Sequence, residues 1–267
     1  MSVAIPSYSS PDPFRLHVPP PTSGIIFDNN PEHVLDLALC RLQTAGIRLV
    51  EWQDLVYRRM GVPACIKNYC YLVPDALVPH ASQVLTDLGL PLSPATKFEL
   101  TVSGDFAARA YSHRITRSTC CARVQHLMLY PQSFATLVDA ELEEHPPSHV
   151  RLPCSAPVLV PTAPAVYASI LRMMLQYDRF DPVVVELSSQ LSELIGYHLL
   201  GLKDGYIEEE DWERWEVDRR IEDAVHVVRA WGMDQVWRDG EQWMGDALAE
   251  MVKTGGIEHL PTKPRTP

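Results

Sequence analysis

Cys65, Cys70 and His126 are the side chains best suited by type to hold a metal or act as a nucleophile. Two thiolates and an imidazole are donors that Zn²⁺ accepts at tetrahedral sites. The three therefore form a soft-metal candidate if the segments carrying them lie side by side. Their spacing matches no standard zinc pattern, and no fourth ligand is evident. The plainer reading is that free cysteines pack as small apolar side chains. Glu51, Cys70 and His126 also have the types needed for acid/base or nucleophilic work, but a linear sequence does not fix their mutual geometry. Cys120 and Cys121 lie between Arg117 and Arg123, cations that can lower a thiol pKa. Ordinary strand-edge cysteines are the simpler account. No GxSxG, P-loop or GxGxxG pattern occurs.

Charge offers two further candidates. Between Phe106 and His126 the chain carries Arg109, Arg114, Arg117 and Arg123 with two histidines and no acid. Such a stretch suits a phosphate or an acidic partner segment, or else it is a solvated loop. From Asp204 to Asp223 there are ten acids against three arginines. Trp212 and Trp215 stand three apart there, on one face if the segment is helical, and an acidic helix 204–223 bearing them would suit a protein partner. The alternative is that the tryptophans pack inward and the acids face water. The whole chain has a net charge of −11. That disfavours general binding to nucleic acid, because like charges repel.

These residues need elements to position them. Six prolines fall within residues 1–25, which read as a flexible lead with no continuous apolar stretch for a signal peptide. Asn30 and Pro31 open a helix whose apolar face runs from Val34 to Leu42, and Gly46 ends it. Ile47–Trp52 reads as a strand and Gln53–Met60 as a helix stopped by Gly61. Tyr69–Val73 is the next strand, and Leu77–Leu88 the next helix. Phe98–Val102, Arg123–Tyr130 and Val158–Val160 complete the expected strands. After Pro164 the apolar period becomes helical: Tyr167, Ile170, Leu171, Met174 and Leu175 share one face. Asp181 and Pro182 open a helix whose buried side carries Val184, Leu187, Leu191, Leu194, Ile195 and His198. Further helices are expected over Glu208–Trp231 and Asp234–Val252. The expected organisation is the lead at 1–25, a mixed α/β domain at 26–161, a helical domain at 162–256 and a loose tail at 257–267.

The order of strand, short helix, Gly-Val-Pro turn and strand ending in Val-Pro carries a resemblance. The stretch is Gly61-Val62-Pro63-Ala64-Cys65-Ile66-Lys67-Asn68-Tyr69-Cys70-Tyr71-Leu72-Val73-Pro74. It resembles the core of the nucleotidyltransferase superfamily over roughly residues 31–135, and more narrowly a fungal nucleotidyltransferase-like group of unknown activity. The resemblance implies an α/β (α+β) fold, with a nucleotidyltransferase-like mixed sheet and flanking helices followed by a C-terminal helical bundle. It also implies two aspartates at alternate strand positions, on one face, holding divalent metal. Asn68 and Cys70 stand at those positions. The neighbouring strand, source of a third carboxylate in the family, offers Gln125 and His126. The family's phosphate-holding Gly-Ser turn belongs near Val50–Leu55, where neither residue type occurs.

The expected function is therefore a degenerate nucleotidyltransferase-like binding or regulatory module. No cofactor is expected, and residual nucleotide binding stays open. The alternative is an enzyme with remodelled chemistry in the same interdomain cleft, acting on a small metabolite or nucleotide through Glu51, Cys70 or His126. A third reading is an oligomeric structural protein using the Trp212/Trp215 helix as its interface. The cysteines form no CxxC pair, and no run of apolar residues is long enough to span a bilayer. The expectation is a reduced protein of the cytoplasm or nucleus.

Overall fold

The computed structural model describes residues 30–118, 123–149, 155–206, 208, 211–213, 215–233, 236–256 and 260. The expected lead, most of the tail, and Cys120, Cys121 and Cys154 lie outside the described residues.

Local chemistry sets the first elements much as the sequence suggests. Helix α1 (Pro31–Thr44) begins where the Asn30 side chain accepts the N–H of Glu32 at 3.1 Å, with proline at the first position. Strand β1 (Val50–Trp52) leads into the short helix α2 (Asp54–Arg59). Gly61, at φ +92°, turns the chain into the loop before β2 (Asn68–Val73). Helix α3 (Val78–Asp87) follows.

The next segment departs from the sequence reading. Phe98–Val102 is not a strand but part of helix α4 (Lys97–Ser103). The Phe-Glu-Leu-Thr-Val alternation favours a strand, but Thr96 and Glu99 form a reciprocal capping box that nucleates a helix. A one-turn helix, α5 (Asp105–Ala108), then leads to β3 (Tyr111–Arg114) and β4 (His126–Pro131). Strands β5 (Leu142–His145) and β6 (Val158–Pro161) complete the sheet. Neither β3 nor β5 was legible in the sequence.

The sheet is mixed, in the order β3-β4-β2-β1-β6-β5. β2 runs antiparallel to β1 and parallel to β4, and β1 runs parallel to β6. Strand alternation divides its side chains between two cores. On one face Tyr69, Tyr71, Leu127 and Leu129 pack with α1 and α3. On the other, Val50, Trp52, Cys70, Leu72 and Tyr130 join the C-terminal helices.

Those helices are α6 (Ala163–Met174), α7 (Pro182–Leu194), α8 (Val217–Met233) and α9 (Trp243–Thr254). Asp181 caps α7 by accepting the Val183 N–H at 2.8 Å. A π-turn over Ile195–Leu199 extends α7, and His198 within it is half-buried, 3.1 Å from the Tyr167 hydroxyl. The architecture is thus a mixed sheet flanked by helices and followed by C-terminal helices.

Two expected helices are corrected. The acidic segment 204–223 is not one helix. Its described residues before Val217 form turns, and Glu216 at φ +49° breaks any continuous helix there. Trp212 and Trp215 lie in the turns ahead of α8 rather than on a long helix. They are 39% and 41% exposed, and the Trp212 ring N–H donates to Asp218 at 3.1 Å. Likewise α9 begins only at Trp243, after a turn at Arg238–Glu241.

Candidate functional site

The parallel pairing of β2 with β4 creates the site. In that register Asn68 faces His126 and Cys70 faces Met128, while Trp52 pairs with Cys70 across β1. All five side chains share the face turned toward the C-terminal helices. Asn68 and Cys70 lie two residues apart on that face, and His126 is their immediate neighbour.

The chemistry of the three is muted. Burial pushes the Cys70 thiol far above its ordinary pKa, and the negative charge of Asp54 adds to the shift, so it stays protonated. Burial lowers His126 to about 4, with Arg114, Lys67 and His113 adding to the effect and Glu99 opposing it. The imidazole is therefore neutral near pH 7. Its Nδ1 lies 3.3 Å from the Asn68 amide oxygen. That oxygen only accepts, so Nδ1 carries the proton and Nε2 keeps its lone pair.

A cavity of about 440 Å³ opens over this face. Its floor is Cys70, Met128, Tyr130 and Phe106. The Tyr130 hydroxyl donates to the Phe106 carbonyl at 2.9 Å, which fixes the ring. Trp52 supports both rings from behind, with centroids 4.8 Å from Tyr130 and 5.8 Å from Phe106. Thr96, the N-cap of α4, with Glu99 and Ser103 of that helix, forms one wall. Asp54 and Glu186 lie along the rim from α2 and α7.

No family model, curated protein or solved structure matches the chain. The function must accordingly be argued from the geometry itself.

Asp54 lines the same cavity and is the carboxylate that acts on Cys70. Burial raises its pKa, and repulsion from Glu186 and Glu193 raises it further. It also borders a second, more open hollow of about 550 Å³, shared with Cys65, Glu193, Tyr197 and Asp204. Gln53 before it adopts φ +53°, ψ −132°, a conformation that favours glycine. Position 53 lies in the stretch where the nucleotidyltransferase resemblance implies a Gly-Ser turn. The backbone makes the glycine-type turn, but a glutamine occupies it.

The other candidates separate. Glu51 points to the opposite face of the sheet and is fully buried. It accepts hydrogen bonds from Arg59 at 2.6 and 3.0 Å and from the Ser148 N–H at 3.2 Å. It therefore cannot act together with Cys70 and His126. Cys65 is exposed and borders the second hollow, so Cys65, Cys70 and His126 do not converge. Among the described residues no group of three or more His, Cys, Asp or Glu is placed to hold a metal ion.

The four arginines do not form one patch. Arg109 donates to Asp105 at 2.8 Å and lies over the Phe134 ring. Arg114 is buried in β3, where burial lowers its pKa. Arg117 and Arg123 are exposed on either side of the undescribed 119–122.

A buried cluster of Asp36, His149 and Ser155 has the composition of a hydrolytic triad but not its wiring. Ser155 Oγ donates to Asp36 Oδ1 at 2.7 Å, and His149 Nε2 lies 3.3 Å from the same oxygen. The serine is bound to the acid rather than to the base, so the cluster anchors a loop to α1 and does not activate a nucleophile.

The sequence reading did not single out Asp54, Glu186, Phe106 or the α4 wall. The Thr96-x-x-Glu99 capping signature was present and marks α4. Glu186 had no local signal, because its position at the cavity depends on how α7 docks against the sheet.

Proposed function

We propose that the protein is a nucleotidyltransferase-like binding module whose cleft does not support metal-dependent nucleotide transfer. The observation that carries this is the pair Asn68 and Cys70 on the cleft face of β2. Two side chains alternating on one strand face are placed as a metal-binding pair would be. A neutral amide and a protonated, buried thiol supply neither of the anionic oxygens that a hard divalent cation needs. Their neighbour His126 is neutral and engaged with Asn68.

The order α1-β1-α2-β2-α3 with β4 added beside β2 is compatible with such a core. The cavity lies between the sheet and the α4–α5 segment, with Glu186 of α7 at its edge, a concave site of the kind where ligands commonly bind. Asp54 and Glu186 at its rim disfavour a triphosphate that arrives without a bridging cation. Among the described residues no helix is long and apolar enough to cross a membrane.

A thermal-shift panel of nucleoside triphosphates with and without Mg²⁺, Mn²⁺ or Zn²⁺ tests the proposal, since ligands of the native state raise the melting temperature. The expected result is no metal-dependent gain for any nucleotide. A gain that needs Mg²⁺ and disappears in Asn68→Ala would overturn the proposal.

A further inference from the structure

We infer that helix α4 is a movable lid over the cleft, closing by a roll of about one residue, ~100° around its axis, that turns Phe98 and Val102 inward. The inference rests on the reading of this cleft as a binding site and names the element that governs access to it.

The apolar stripe of α4 is out of phase with the side the helix turns to the cleft. Thr96, Glu99 and Ser103 line the cavity of about 440 Å³. Glu99 and Ser103 stand four apart and share one face of the helix. Phe98 and Val102 form the equivalent pair one residue back, about 100° around the axis. These two apolar side chains are 75% and 56% exposed. The cavity beside them is lined in part by Met128 and Ala110, both half-buried. A roll toward the cleft removes apolar surface from water on both sides and keeps the charged Glu99 in solvent.

No polar contact outside the segment opposes that roll. Among the described residues, every hydrogen bond made by residues 94–103 ends within 94–104. These are the Thr96–Glu99 capping box, the Thr101 hydroxyl to the Lys97 carbonyl at 2.9 Å, the Leu100 N–H to the Thr96 carbonyl at 3.0 Å and the Gly104 N–H to the Leu100 carbonyl at 3.2 Å. Neither Lys97 nor Glu99 forms an ion pair among the described residues. No residue of α4 is buried.

The two ends are held, by contrast. The Ser93 N–H donates to the Ser112 carbonyl at 2.7 Å, and Leu92 bridges His113, both on β3. On the other side, the Asp105 carboxylate of α5 accepts the Tyr177 hydroxyl at 2.9 Å and the Arg109 side chain at 2.8 Å. Gly104 joins this fixed turn to α4 at φ +54°, ψ −129°, a conformation that glycine adopts readily and other residues do not. A Cβ there would lie 3.3 Å from Val183 and 3.5 Å from Asp181, so the pivot sits against the start of α7. A helix bonded only to itself, between two anchored ends and beside a glycine pivot, has the construction of a hinged lid.

The test follows Phe98 itself, in the full chain with no nucleotide or metal added. Phe98 is replaced by 4-fluorophenylalanine, and fluorine saturation-transfer and relaxation-dispersion spectra are recorded with and without a soluble gadolinium chelate. The expected result is a second environment, populated at roughly 1–10%, whose broadening by the chelate is several-fold weaker than that of the major one. Ala110→Trp and, separately, Ser112→Tyr fill the cleft, and each is expected to abolish the second environment. Val227→Phe, at a position 44% exposed on α8, is expected to leave it unchanged. Circular dichroism checks that each variant keeps the fold. A single exposed environment without exchange in the otherwise unaltered chain overturns the inference, as does a shielded environment that persists in a folded variant with the cleft filled. Because metal and nucleotide are absent, such a failure leaves the loss-of-transfer reading standing. Metal-dependent turnover would remove that reading without altering these spectra.

Discussion

Replacing Glu141 with alanine probes the clamp that ties the sheet to the C-terminal helices. Arg172 of α6 donates to Glu141 at 2.8 and 3.3 Å and to Glu241 at 2.6 and 2.8 Å. Arg238 donates to the same Glu141 at 2.6 and 3.0 Å. The Arg172 and Glu141 side chains are 7% and 10% exposed, so the pair is largely removed from water. Removing one partner of a buried ion pair costs about 3–5 kcal/mol. Arg172 keeps Glu241, and Arg238 keeps the Thr136 carbonyl at 2.7 Å. The expected loss for Glu141→Ala is therefore near the lower bound, about 3 kcal/mol.

Urea unfolding followed by tryptophan fluorescence measures this loss at an unchanged slope. Burial pushes the Glu141 carboxyl up, but hydrogen bonds from Arg238, Arg172 and the Val138 N–H more than offset it, leaving its pKa below the ordinary glutamate value. A depressed folded-state pKa gives stability that is full above the unfolded value, about 4.3, and lost as pH falls through the folded one. The gap between wild type and variant is thus expected to be constant near neutrality and to narrow below about pH 4. A loss under about 1 kcal/mol at pH 7, the size of an exposed pair, would refute the burial argument, and so would a gap that widens in acid.

Two further outcomes follow from the packing. A Cβ at Gly196 would overlap the Gly205 carbonyl oxygen, so Gly196→Ala is expected to destabilise by about 1–3 kcal/mol in the same urea assay, and a neutral result would show that the 201–205 turn yields. Helix α4 buries none of its residues, with Phe98 75% and Val102 56% exposed. Its amides are therefore expected to exchange with solvent much faster than those of the fully packed α6, and equal protection by mass spectrometry would show that α4 is anchored more firmly than its contacts indicate.

Helix boundaries set by side-chain chemistry were legible in the sequence. Asn30-Pro31 and Asp181-Pro182 start helices as their types require, and Gly61 turns the chain where the Gly-Val-Pro motif places it. Alternation was less reliable. Phe98–Val102 alternates like a strand but carries a capping box, and local capping prevailed because no neighbouring strand pairs with it. β3 was missed because its buried residues are His113 and Arg114, polar types that do not signal a strand. His113 is accommodated by Ser82 at 2.9 Å and the Leu90 carbonyl at 3.0 Å, contacts fixed only by tertiary structure.

For the site, strand period places Asn68 and Cys70 on one face, whereas the adjacency of His126 depends on β4 pairing with β2, which the sequence left open. Glu51 is one residue out of phase with Trp52, and this parity places it on the far face. Asp54 and Glu186 come to one cavity only through the docking of α7, which no local pattern encodes.

The most direct measurement is pyrophosphate release from each of the four ribonucleoside triphosphates by the full chain with saturating Mg²⁺ or Mn²⁺. An amide and a protonated thiol at 68 and 70 are expected to give no release above the protein-free blank. Metal-dependent release that is lost in both Asn68→Ala and Cys70→Ala would mean that these two positions serve catalysis after all.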